Sequence, residues 1–170
     1  ARLIGGLLTA PAYCDGDRDV EREIRELSEP LYARVDWHWA LAGGETLTHG
    51  WKPDLGFLPY RWKGYDEALV LYLLALGSDT HPIPPASYCA WMATYEWRTV
   101  YDTSFLYAGP LFIHQLTHVW IDFRGIPYAY MPQRGSHYSE NRLRAPPVHA
   151  PSAVPNPRCV PAAGAPAWGV

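Results

Sequence analysis

The stretch Gly50–Leu76, "GWKPDLGFLPYRWKGYDEALVLYLLAL", joins an aromatic segment punctuated by Gly and Pro to a run that is apolar on nearly every side. From Asp66 to Leu76 the pattern predicts a buried helix, because no polar face is left to meet water. Its only acids, Asp66 and Glu67, stand at its mouth, directly after Trp62 and Tyr65. Acids gathered at the mouth of a buried helix point to a pocket. Each also has a plainer role: Asp66 as an N-cap, and Glu67 as a charge that complements the helix dipole.

Upstream, Asp15 to Asp19 read as a polar turn and N-cap. Val20, Ile24, Leu27, Leu31 and Val35 then recur at spacings of three and four, which traces one helix face. Pro30 lies inside that pattern and predicts a kink or a split near Glu29. Residues 43–63 have no clean period and read as a long structured loop. Downstream, helices are expected from Pro85 to Trp97 and from Pro110 to about Phe123, with Gly77, Gly125 and Pro127 as stops. Strand alternation is weak, so the expected class is all-α.

The composition sets bounds. A chain of 170 residues can build a sizeable core, and a net charge of −3 leaves no basic footprint for nucleic acid. The longest apolar run, Leu69 to Leu76, is far short of the ~20 residues a membrane-spanning helix needs. The N-terminal segment "ARLIGGLLTAPAYC" lacks a signal-peptide layout and reads as the middle of something longer. Cys14, Cys89 and Cys159 are odd in number, widely spaced and without a CxxC pair. They argue against a disulfide framework and leave the compartment open. Eight Trp and twelve Tyr are the outlier, since such rings pack cores or stack on sugars. After Arg144 the chain becomes rich in Pro and Ala and holds no acid. Residues 145–170 therefore read as a disordered tail, either a separate segment or the product of a shifted reading frame.

Two constellations carry chemistry. "HQLTH", His114 to His118, places two imidazoles at i and i+4, which suits a metal. A zinc protease needs Glu where Gln115 stands, and an amide takes no proton, so no metal is expected. The pair then serves as half-buried structural His or as hydrogen-bonding groups for a ligand. The second constellation is a set of acids beside aromatics: Asp54, Asp66, Glu67, Glu96, Asp122 and Glu140. Glycoside hydrolysis needs two carboxyl groups, about 5–5.5 Å apart for retention and roughly 6.5–9.5 Å apart for inversion.

Long motifs also carry a resemblance. Residues 48–84 ("THGWKPDLGFLPYRWKGYDEALVLYLLALGSDTHPIP"), 95–101 ("YEWRTVY"), 106–126 ("LYAGPLFIHQLTHVWIDFRGI") and 137–142 ("HYSENR") follow one another in order. Together they resemble the bacterial glucoamylase-like family, which includes endo-β-1,2-glucanases and a domain of cyclic β-1,2-glucan synthases. The resemblance runs from about Leu7 to Arg144. It implies a partial (α/α)6 toroid, truncated at both ends, with residues 1–144 as the toroid portion.

The resemblance also implies a glycoside hydrolase acting on β-linked glucan, foremost β-1,2-glucan, by two-carboxylate acid/base catalysis without a cofactor. Glu67 matches the Glu of the "GYDEA" motif. Glu140 matches the Glu of a "YFENS"-like motif, with Ser139 where an aromatic is usual. Glu140 is the expected general acid and Glu67 the second carboxylate. Asp66, Trp62, Tyr65, Arg61, Trp97, His114 and His118 are expected to position hydroxyls or stack on sugar rings. The partner is an oligo- or polysaccharide, and the family points to a bacterial periplasmic or secreted setting. The rival readings are a non-catalytic glucan-binding module and a metal-dependent hydrolase built on His114 and His118. The chain on its own is expected to be inactive.

Overall fold

The computed structural model describes residues 2–126 and 136–153. They fall into two compact units, one ending at Tyr95 and one beginning at Glu96. The chain is rich in helix, with two short antiparallel hairpins added to it.

The first unit opens with α1 (Arg2–Tyr13) packed on α2 (Asp19–Ala33). Arg18 caps α2: its amide donates to the Glu21 carboxylate (3.3 Å), and its guanidinium pairs with the same side chain (2.7 Å). The acid at the third helical position thus satisfies an amide that the helix leaves without a partner. Of the kink or split expected near Glu29, the split does not occur. The helix runs on to Ala33, and the Pro30 carbonyl still accepts the Arg34 amide. A proline this near the C-terminus removes only one intrahelical bond. The Val20–Leu27–Leu31 stripe lies on the exposed side, while the buried residues of α2 are Glu21 and Ser28.

The expected loop over 43–63 is an irregular ladder. β1 (Trp51–Lys52) pairs with β2 (Gly56–Phe57), Thr48 bridges to Arg61, and the Trp62 amide donates to the Leu47 carbonyl. The Arg61 guanidinium closes the base of this ladder on the carbonyls of Leu41 (2.8 Å), Thr46 (2.5 Å) and Ala42 (3.3 Å). Gly44 lies beneath it, and a Cβ there would lie 2.4 Å from the guanidinium carbon, so a larger residue would displace the Arg61 side chain.

α3 begins three residues later than expected and spans Leu69–Leu76. Leu69, Val70, Tyr72 and Ala75 are buried, as an all-round apolar helix requires. Tyr72 ties α3 to the ladder: its hydroxyl accepts the Leu47 amide (3.1 Å) and faces the Trp62 carbonyl (3.4 Å). α4 (Pro85–Met92) starts on a proline and stops five residues before the expected end at Trp97.

The second unit begins with that segment in extended form. β3 (Trp97–Val100) pairs with β4 (Thr103–Leu106). Tyr101 and Asp102 make the two-residue turn, both with positive φ (49° and 60°). That is the turn whose twist matches a hairpin. The strands override the helix expectation because cross-strand pairing is a tertiary choice that a helical period does not report. Where a helix from Pro110 to Phe123 was expected, there is a four-residue α5 (Ile113–Leu116) followed by a 3-10 turn over Thr117–Val119.

α6 (Tyr138–Ala153) passes straight through the compositional change at Arg144. Asn141, Ala145 and Val148 form one helical stripe, and all three are buried. Ala145 and Val148 cluster with Phe105, Val100, Tyr107 and Leu111. The expected tail thus contributes core at its first residues, because small and β-branched groups at i and i+3 need no acids to form a face. The remaining tail residues, 154–170, lie outside the described residues, as does Cys159. No helix among the described residues is long and apolar enough to cross a membrane.

Candidate active site

In the first unit the chain from Gly64 to Ala68 forms the turn that feeds α3. Gly64 has φ +82°, and its amide donates to the Trp91 carbonyl (2.9 Å). A side chain there would press on the Thr94 carbonyl at 3.3 Å, so glycine is required on two counts. Asp66 closes the turn. Its Oδ1 accepts the Ala68 amide (2.9 Å) and the Trp91 indole N–H (3.2 Å). Burial pushes the Asp66 carboxyl up to about 7, against the two donors that favour its charged form. Glu67 is the central residue of this Asx turn. Tyr65 is buried, with its ring edge-on to Tyr95 at 5.8 Å.

Trp62 stacks on His49 at 3.9 Å. Both line a cavity of about 260 Å³ whose other walls are Trp39, Trp51, Phe57 and Leu71. Trp39 and Trp51 remain 51% and 47% exposed, which is unusual for rings of this size. No motif singled out Trp39, Trp51 or His49 as lining this cavity. The high aromatic content was the available signal, but it does not say which rings face water. Arg61, expected to meet sugar, donates to three main-chain carbonyls.

In the second unit Glu140 lies on the first turn of α6, half-exposed. Its amide donates to His137 Nδ1 (3.2 Å), which also faces the Ser139 hydroxyl at 2.7 Å. His137 thus caps the helix with a ring nitrogen. The Glu140 carboxylate pairs with Arg144 (2.6 Å), whose other nitrogen donates to the Ser104 carbonyl (2.9 Å). Asn141 is fully buried and bonds both main-chain groups of Leu106: its Oδ1 accepts the amide (2.7 Å) and its Nδ2 donates to the carbonyl (3.1 Å). Sequence reading missed Asn141 altogether.

His114 is fully buried. The Asn141 amide nitrogen lies 3.3 Å from its Nδ1, and the Ala108 carbonyl lies 3.4 Å from its Nε2. Both nitrogens are thereby engaged, with Nδ1 as acceptor and Nε2 as donor. His118 packs edge-on to Phe123 at 4.7 Å. Trp97 is half-buried on β3, and its indole nitrogen finds no acceptor among the described residues. Among those residues no three His, Cys, Asp or Glu gather around one point that could hold a metal.

Burial lowers both His114 and His118 to about 4. A folded value below the unfolded one, about 6.5, means that the unfolded chain binds protons more readily. The stability tied to the neutral rings is therefore complete above about 6.5 and is lost as pH falls towards 4. Asp66 runs the other way, since its raised carboxyl is better tolerated as pH falls. Acidification from 6.5 to 4 should accordingly lower amide-exchange protection, relative to the intrinsic rate at each pH, in β4, α5 and α6 more than in α3. Equal loss of protection in both units would contradict this.

The family model named Glycoamylase and described as "Putative glucoamylase" matches residues 59–170. The chain belongs to this glucoamylase-like family. A curated relative, an exo β-1,2-glucooligosaccharide sophorohydrolase acting at the non-reducing end from Parabacteroides distasonis, is 30% identical over 97 residues. That match covers 55% of this chain and 14% of the relative. The crystal structure of a "putative glucoamylase" from Bacteroides fragilis superposes with TM-score 0.81 at 27% identity, covering 95% of this chain and 40% of that one. The endo-β-1,2-glucanase from Chitinophaga pinensis, solved with sophorotriose and glucose, gives 0.75 at 24% identity with the same two coverages, 95% and 40%, and shares the fold. The chain thus spans well under half the length of these relatives.

Proposed function

We propose that this chain carries part of the catalytic machinery of a glycoside hydrolase acting on β-linked glucan, foremost β-1,2-glucan. Family membership, together with relatives named for cleaving β-1,2-linked glucose, is the observation that carries the reading. The architecture that fits it is a portion of an (α/α) toroid. Glu140 acts as general acid and Glu67 as the second carboxylate. The acid delivers its proton to the glycosidic oxygen as the bond to the anomeric carbon breaks, and the electron pair leaves with that oxygen. The second carboxylate either takes a proton from the attacking water or attacks the anomeric carbon itself.

The exposed rings of Trp39 and Trp51 beside Trp62 give the flat apolar faces on which pyranose rings stack. Those same rings also support a second reading, in which the chain binds glucan without cleaving it. Incubation of the full-length protein with β-1,2-glucan separates the two. Release of reducing ends, absent with β-1,3- and β-1,4-glucans, is expected. Binding with no release would favour the binding module.

A further inference from the structure

Trp91 was singled out by no motif, yet it is fully buried in the last turn of α4. Its ring stacks on Tyr72 at 4.8 Å and meets Tyr95 edge-on at 5.2 Å. Packing of that kind fixes the direction of its indole N–H, which donates to Asp66. Its carbonyl takes the Gly64 amide, so one residue of α4 grips both ends of the turn that carries Tyr65 and Glu67. The same Asp66 oxygen accepts the Ala68 amide, and no described residue donates to the other oxygen.

We propose that Trp91 is a positioning residue of the site, which locks the Gly64–Ala68 turn through Asp66 and thereby sets where Glu67 stands. The lock uses one oxygen of Asp66, and the other is assigned to a sugar hydroxyl. The functional half of this statement rests on Glu67 being a catalytic carboxylate; the lock itself does not.

Among the described residues, Glu67 and Tyr72 are titratable groups coupled to Asp66. Both oppose its ionisation when charged, whereas the indole N–H supports it. Loss of the indole donor should therefore raise the Asp66 midpoint. The test uses the full-length protein with labelled aspartate carboxyls, with Asp66→Ala identifying the resonance. Trp91→Phe keeps a ring in the core and removes the donor. It should move the midpoint up by about one pH unit. It should also lower kcat on β-1,2-glucan about ten-fold or more, with KM within about two-fold. Adding Trp91→Phe to Asp66→Ala should cost little further kcat, since the two act as one unit.

A measurement on the wild-type protein guards against a variant that does not fold. The Trp91 indole proton resonance should titrate with the same midpoint as the Asp66 carboxyl, and that titration should vanish in Asp66→Ala. An indole resonance that ignores pH, or an unmoved midpoint in Trp91→Phe, overturns the lock. Fully additive kcat losses overturn the positioning role. A Glu67→Gln variant with normal turnover overturns the proposed function and not the lock.

Discussion

Glu140→Gln should lower turnover on β-1,2-glucan by about 10²–10⁴-fold, the span typical of a lost general acid, while oligosaccharide binding changes little. The two side chains have nearly the same shape. A glutamine carbonyl can still accept from Arg144, which lies 2.6 Å from the carboxylate. The helix start is held by His137 and Asn141, neither of which is altered. What disappears is the proton that the leaving oxygen must receive. Turnover and calorimetric binding measured on the same preparation separate the effects. Near-normal turnover would remove Glu140 from the acid role, and a large loss of binding would recast it as a sugar contact.

Asn141→Leu should be the most damaging single change to the second unit. Two main-chain groups lose their partner at once, the amide and carbonyl of Leu106, and the ring nitrogen of His114 loses one contact. Each group left buried without a partner costs about 1–3 kcal/mol. Together that is several kcal/mol, against a typical domain stability of about 5–15 kcal/mol. Activity should fall with stability, because Glu140 is the next residue on the same helix turn. Denaturant unfolding measures the loss, and a change below about 1 kcal/mol would show that these contacts are dispensable.

These two residues differ in how visible they were beforehand. Glu140 stood out as a candidate because a carboxylate in a matched motif suggests a chemistry by type. Asn141 was not. A polar residue in "SHYSENR" has solvent exposure as its ordinary reading, and its partners stand 27 and 35 positions away in sequence. The same distance effect hid Trp91, whose partner Asp66 is 25 positions upstream. It also hid the role of Arg61, whose type suggested a sugar contact and whose donors close a loop.

The sequence by itself determined the family, the buried character of the helix that ends at Leu76, and a helix following the polar turn over Asp15–Asp19, though not its unbroken run through Pro30. These are readings of local periodicity and of long ordered motifs, and such signals survive without knowledge of the rest of the fold. The tertiary structure alone decided that Trp97 stands in a strand, that the ladder over 48–62 is paired, and that α6 runs past Arg144 to Ala153. In each case the deciding contact joins segments far apart in the chain. Hairpin register and the burial of Ala145 and Val148 against Phe105 are set by what lies opposite, and a single strand or helix does not encode its neighbour.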